Sequence, residues 1–247
     1  MKNGDVTLSV VSHGQEELVS GLLTDVKRDL SGTPVVLTHN LPAQTPSMDV
    51  SLCLQNEEPK GFGANHNAAF RHSVTPFFGV VNPDIRLTSN PLPSLIKCFE
   101  DPRVGLVAPR VVDSNGNTED SARHFPTISN LVAKAILGRR GVYDSLDGQP
   151  LQVDWVAGMF MIFRAEAFSE IGGFDDEFFL YYEDVDICAR LWQAGWKVVL
   201  DPGVSVIHDG QRSSHRDLKY TRMHAKSMMR YFWKYSGGAS RKLLSSE

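Results

Sequence analysis

Val6-Thr7-Leu8-Ser9-Val10-Val11-Ser12, closed by the turn His13-Gly14, is a β-rich run. From Glu16 to Leu30 the apolar residues Leu18, Leu22, Val26 and Leu30 recur at a helical period. A strand handed directly to a helix is a βα unit, and the chain repeats the pattern. Val35–Thr38 and Val50–Leu54 read as buried strands bounded by Pro, Asn and Asp. Ala64 to His72 reads as a helix, Phe77–Val81 as a strand, Pro91–Phe99 as a helix and Gly105–Ala108 as a strand. This alternation predicts an α/β fold with a mostly parallel, helix-covered sheet. Ligands of such sheets bind beyond the carboxyl ends of the strands, which points to the loops after Val11, Leu37, Leu54 and Val81.

The second half is more mixed. Asp113-Ser114-Asn115-Gly116-Asn117 reads as a turn joining two short strands, Pro126 to Leu137 as a helix and Val153–Val156 as a strand. Glu183 to Ala194 is a helix stopped by Gly195, followed by a strand over Trp196–Leu200. Ser214 and Asp217 have capping-box spacing. Beyond them Leu218, Thr221, Ala225, Met228, Phe232 and Tyr235 fall on one helical face that Gly237 ends, before a loose tail.

The 247 residues suffice for one sizeable domain, with about 1–110 and 111–208 as its two halves and a basic helix over 209–236. Hydrophobic content of 42% and charged content of 22% exclude a disordered, collagen-like or coiled-coil chain. The formal charge of −4 excludes a nucleic-acid binder by bulk charge, but the charge is uneven. Nine basic and three acidic residues lie beyond His208, leaving −10 for residues 1–208. Cys53, Cys98 and Cys188 have no ligand spacing and read as reduced, buried thiols. With no export signal and no run approaching a membrane span, the expected location is the cytoplasm.

Four groups of residues carry chemical promise. Gly61-Phe62-Gly63-Ala64-Asn65 opens a helix after a strand; its glycines suit a phosphate at free amides, and equally a tight turn. Asn82-Pro83-Asp84 places a carboxylate at the end of a strand, where it suits Mg²⁺ or Mn²⁺ beside a diphosphate, and equally an Asx turn. Tyr181-Tyr182-Glu183-Asp184-Val185-Asp186 enters a helix with three acids in its first turn, as dipole complements or as a general base. His208 follows the strand-like Val204–Ile207 as a metal ligand or a structural imidazole, and Arg212, His215 and Arg216 beyond it suit a diphosphate. Trp155, close to Gly158, is either core or a sugar-stacking platform.

In their order these elements resemble family 2 glycosyltransferases. The resemblance runs through Gly61-Phe62-Gly63 with Asn65, Asn82-Pro83-Asp84, Asp154-Trp155-Val156-Ala157-Gly158 and Gly172-Gly173-Phe174-Asp175. It continues through Phe179 to Asp186, Ala194-Gly195-Trp196 and His208. The rhamnosyltransferase-like branch, which builds bacterial cell-surface polysaccharides, is the nearest in pattern over Val6 to Arg216. The resemblance implies a GT-A fold, with a Rossmann-like nucleotide-binding half continuous with an acceptor-binding half. It also implies an inverting transfer from a nucleotide-diphosphate sugar, dTDP- or UDP-linked, to a glycan or polyprenyl-diphosphate-linked glycan. It assigns Asp184 as catalytic base and Asp84 with His208 as holders of a divalent metal. Ser12, Asn40, Gly61, Phe62, Asn65, Asn82, Asp84, Arg212 and His215 fall to the nucleotide sugar, and Trp155, Gly158, Glu183 and Asp186 to the acceptor. Two departures stand out. Asn82 replaces the first carboxylate of the family's metal motif, and His39 precedes Asn40 where relatives carry Asp.

A nucleotidyltransferase would want a lysine-bearing glycine loop near the first strand, which His13-Gly14-Gln15-Glu16 does not supply. A non-catalytic sugar- or nucleotide-binding module with a decayed metal site is the alternative that Asn82 motivates. Lys219, Arg222, Lys226, Arg230 and Lys234, interleaved with Tyr220, Phe232 and Trp233, suit an anionic membrane surface or a solvated helix face.

Overall fold

The structure is a computed structural model that describes residues 3–41, 49–127, 148–208 and 218–235. One sheet of nine strands organises it. In chain order the strands are β1 (Val6–Ser12), β2 (Val35–His39), β3 (Leu52–Gln55), β4 (Phe77–Val81), β5 (Ile85–Arg86), β6 (Val104–Val112), β8 (Leu151–Gln152), β10 (Phe160–Arg164) and β11 (Lys197–His208). β7 (Ala122–Arg123) and β9 (Trp155–Val156) form a separate antiparallel pair. Across the sheet the order is β3-β2-β1-β4-β10-β6-β11-β5, with β8 on β11.

β1 to β4 pair in parallel, as the βα periodicity requires. β10 then inserts antiparallel between β4 and β6, and β11 runs parallel to β6. Through β10 the start of an acceptor-half strand, Phe160, pairs with Val81 at the carboxyl end of β4. The two ends of chain meant to carry the chemistry therefore meet at one rim of the sheet.

The central strands are buried on both faces, so alternate residues feed two cores. Val6, Leu8, Val10, Phe77 and Ile162 pack under α1 (Glu16–Asp29) and α3 (Leu92–Lys97). Phe78, Val80, Met161, Phe163 and Leu106 pack under α2 (Phe62–Phe70), α4 (Ala165–Glu170), α5 (Glu183–Gln193) and α6 (Leu218–Tyr235). Edge contacts among Phe70, Phe78, Phe163, Phe168 and Phe174, with ring centroids 4.6–6.0 Å apart, knit the second core.

Several sequence readings need adjustment. The strands read at Gly105–Ala108 and Trp196–Leu200 are longer, and the second takes in Val204–Ile207 through a register shift after Asp201. The Asp113 turn forms, but it leads to a single bridge, Val112 to Thr118, rather than a paired strand. Of Val153–Val156 only Trp155–Val156 is strand, β9; Val153 and Asp154 fall between β8 and β9, where Asp154 accepts the Phe125 amide. On α6 the buried positions are Ser227, Tyr231 and Tyr235, a stripe offset from the one read from periodicity, and Thr221 is exposed. Cys188 is buried, but Cys53 is exposed because it lies on the edge strand β3. The helix read at Pro126–Leu137, the Ser214 cap and the tail lie largely or wholly outside the described residues, as do Arg212 and His215.

Candidate active site

β5 pairs antiparallel with the end of β11, His208 opposite Ile85, and this brings Asp84 beside His208. Asp84 Oδ2 lies 3.2 Å from His208 Nε2, while the other ring nitrogen, Nδ1, lies 2.7 Å from Glu119 Oε2. Held between two carboxylates, the imidazole has its pKa pushed up to about 9, chiefly by the Asp84 hydrogen bond. Asp84 Oδ1 is buried and meets no hydrogen-bond partner.

This corner fits a hard divalent cation. The orphaned carboxylate oxygen is a ligand atom without a load, and carboxylate with imidazole is an N/O donor set suited to Mn²⁺ or Mg²⁺. Among the described residues no group of three His, Cys, Asp or Glu side chains has ligating geometry.

Asp184 occupies the first turn of α5. Its Oδ2 accepts the Gly158 amide at 3.2 Å and its Oδ1 the Val185 amide at 2.8 Å. Met159, next to Gly158, accepts the Asn82 amide through its carbonyl at 2.9 Å. A short chain of backbone contacts thus links the base candidate to the Asp84 loop. Burial raises the Asp184 pKa, and raises that of buried Glu183 well above the carboxylate range, with the Asp184 charge adding to the effect. Glu183 Oε2 finds no partner. Entry into this helix is strained: Tyr181 and Tyr182 hold φ of 70° and 67°, the left-handed region that costs most residues of order 1–3 kcal/mol. Tyr182 packs on Tyr231 with centroids 5.4 Å apart, and Ser227 Oγ donates to the Leu180 carbonyl at 2.8 Å. The last helix, α6, holds this turn in place.

Other expected residues have structural duties. A Cβ on Gly61 would lie 2.8 Å from the Phe179 carbonyl oxygen, and one on Gly63 only 2.5 Å from Phe174 Cβ. A crossing of chains requires glycine at both positions. Phe62 seals that crossing, its ring 5.7 Å from Phe174 and close to Gly158. Asn40, Asn56 and Asn65 form a buried network: Asn56 donates to both neighbours at 2.8 and 2.7 Å, and Asn40 also bonds Lys60. Ser12 donates to the Glu16 carboxylate in the first turn of α1. These side chains shape the loops and are satisfied inside the protein.

Two acceptor assignments are corrected outright. Trp155 is 8% exposed, donates to the His124 carbonyl and lies under the Arg123 guanidinium, so its ring is core and not an open platform. Asp186 is fully buried, bound to Arg190 at 2.8 Å, Lys234 at 2.7 Å and the Tyr235 hydroxyl at 2.8 Å; it anchors α6. Sequence reasoning missed Glu119 and Arg123, whose positive charge favours ionised Asp184. Neither residue carries a motif. A cavity of about 560 Å³ opens elsewhere, lined by Ser94, Asp101, Lys197 and Asp201 among others, and none of the expected site residues lines it.

Comparison with known proteins bears on the family and the fold. The family described as "Glycosyl transferase family group 2" matches residues 80–239. Rhamnosyltransferase WbbL of Escherichia coli (strain K12) is 28% identical over 92% of this chain and 92% of its own length. An N-acetylglucosaminyl-diphospho-decaprenol L-rhamnosyltransferase of Mycobacterium tuberculosis is 32% identical over 56% of this chain, which spans about half (48%) of that relative. Among solved structures, a mannosyltransferase from Pyrobaculum calidifontis with GDP-Man and Mn²⁺ gives a TM-score of 0.63 at 16% identity, covering 93% of this chain and 63% of that one. GalNAc-T7 with UDP, GalNAc and Mn²⁺ gives 0.69 at 14% identity, covering 95% and 48%. These likenesses show the GT-A fold.

Proposed function

The chain belongs to glycosyl transferase family group 2 and is a glycosyltransferase; we propose that it moves a sugar, with inversion, from a nucleoside-diphosphate sugar to a glycan hydroxyl. The observation that carries this reading is the pair of amide hydrogen bonds, Gly158 N–H to the Asp184 carboxylate and Asn82 N–H to the Met159 carbonyl, that joins a base candidate to a cation corner. Asp184 takes the acceptor hydroxyl's proton as that oxygen attacks the sugar from the face opposite the leaving group. Asp84 and His208 would hold Mg²⁺ or Mn²⁺, which when bound supplies electrostatic stabilisation to the departing diphosphate. Against the opposing effect of burial, the amides of Val185 and Gly158, with a smaller contribution from the Arg123 charge, favour the ionised form of Asp184, and the Gly158 amide fixes the direction of the carboxylate.

L-rhamnose as the sugar, dTDP or UDP as the carrier and a polyprenyl-diphosphate-linked glycan as the acceptor form the finer reading, supported by what the E. coli and M. tuberculosis relatives are named for. Arg212 and His215 belong to the same proposal as further diphosphate contacts. The test is a screen of dTDP- and UDP-sugars for thermal stabilisation with and without Mn²⁺, followed by donor turnover on a lipid-linked glycan. Mn²⁺-dependent stabilisation with turnover supports the enzyme. Binding without turnover would favour a non-catalytic module, to which Asn82 in the metal loop lends itself.

The lipid side of the acceptor has a counterpart on α6. Arg230 and Lys234 turn inward, to Glu177 and to Asp175 and Asp186 respectively. Lys219, Arg222, Lys226, Met229 and Trp233 recur on one outward side, with Met229 64% and Trp233 80% exposed. A basic stripe ending in exposed apolar side chains suits peripheral contact with an anionic bilayer. No helix among the described residues is long and apolar enough to span one. Vesicles of anionic lipid are expected to sediment the protein at low salt and release it at high salt; Trp233→Ala with Lys226→Glu should abolish the effect.

A further inference from the structure

Glu119 stands two residues beyond the Asp113–Asn117 turn, in a stretch with no motif. Its backbone amide donates to the Val111 carbonyl at 2.8 Å, which ties it beside the end of β6. There the parallel register sets Val111 against Val206 and Val112 against Ile207, so Glu119 is carried to the end of β11. Its Oε2 meets His208 Nδ1 at 2.7 Å, a shorter contact than the 3.2 Å between Nε2 and Asp84. Both side chains are about three-quarters buried, at 22% and 25% exposed.

An imidazole that ligates a cation through Nε2 must be neutral and must carry its proton on Nδ1. That N–H then needs an acceptor, and the acceptor fixes both the tautomer and the ring plane. We propose that Glu119 is the positioning residue for His208, holding the ring by Nδ1 so that Nε2 is presented to the cation on the Asp84 side. Asp84 and Glu119 thereby divide two tasks: one carboxylate shares the load with Nε2, and the other orients the ring from behind. The sequence separates the three residues widely, and only the β5–β11–β6 pairing assembles them.

The inference rests on the cation reading given under Proposed function. Its test is Mn²⁺ binding to the full chain, with UDP and dTDP supplied in parallel, read from the signal of free Mn²⁺ and needing no turnover. Wild type is expected to bind. Glu119→Ala should weaken Mn²⁺ binding about 10–100-fold, while the melting temperature without metal stays close to wild type. Glu119→Gln, whose amide oxygen still accepts from Nδ1, should remain within about threefold, and Glu119→Asp, too short to reach, should behave like alanine. Equal affinity for wild type and Glu119→Ala overturns the inference. So does a glutamine variant as weak as alanine, because the charge rather than the acceptor atom would then be what matters. If Glu119→Ala does not fold, the order of the Gln and Asp variants decides alone. Wild type that takes up no Mn²⁺ with either nucleotide overturns the cation reading instead, a separate result.

Discussion

Asp84 and Asp184 are the same residue type at neighbouring points of one rim, yet the fold treats them in opposite ways. Around Asp84 charge is paired: His208 sits between it and Glu119, and the imidazole is pushed toward its protonated form. Around Asp184 burial outweighs the amides and the Arg123 charge that favour its ionised form, so its pKa is raised, and burial raises Glu183 beside it well above the carboxylate range. On the proposed function one carboxylate would share a positive charge and the other would accept a proton. What separates the two roles there is the company the side chain keeps.

The contrast is sharpest in Asp184→Asn, which keeps the shape and removes the base. Turnover should fall by ~10²–10⁴ while Mn²⁺-dependent nucleotide binding survives. A folded variant with near-normal turnover would break the comparison on the Asp184 side. Asp186, two residues on, is the control. Because its buried carboxylate is fully paired with Arg190, Lys234 and Tyr235, Asp186→Ala should cost ~3 kcal/mol in denaturant unfolding. The residual folded fraction should transfer sugar well above the rate of Asp184→Asn, and short of wild type to the extent that α6 loosens from the Tyr181–Tyr182 turn.

Gly61→Ala strikes the crossing that positions the Asp184 turn. The added methyl would meet the Phe179 backbone, for an expected loss of ~1–3 kcal/mol in thermal or denaturant stability together with reduced turnover. A neutral result would mean that the crossing gives way freely. The smallest effect concerns pH. Asp184 must be ionised to work, so the acid limb of kcat should lie above the ordinary carboxylate value of about 4. For stability the sign is the reverse of a paired carboxylate. Raised folded pKa values mean that the contribution of Glu183 and Asp184 is fullest below the unfolded value and is lost as pH rises through the raised ones. Glu183→Gln should flatten that slope in urea titrations taken at successive pH values.

The sheet was legible because buried parallel strands and their helices write strong periodicities: β1, β2, β4 and α1 fall within a few residues of where the sequence puts them. The placement of Asp84, His208 and Asp184 was also legible, since each stands just beyond a strand, at its end, or in the first turn of a helix. What the sequence concealed depends on partners far along the chain. Asp186 looks like its acidic neighbours until Tyr235 and Lys234 fold onto it. Trp155 looks like a platform until β7 supplies Arg123. The glycines of Gly61-Phe62-Gly63 look like a phosphate loop until Phe174 and Phe179 cross them. Composition and spacing do not encode which distant segment will claim a residue.

The left-handed Tyr181–Tyr182 turn is buttressed by a helix far along the chain from it. Ser227 holds the Leu180 carbonyl and Tyr231 packs on Tyr182, so the backbone that leads into the acidic first turn of α5 owes its unusual conformation to α6. A substitution at Ser227 or Tyr231 would therefore be felt at those acids from a distance, by relaxing the turn.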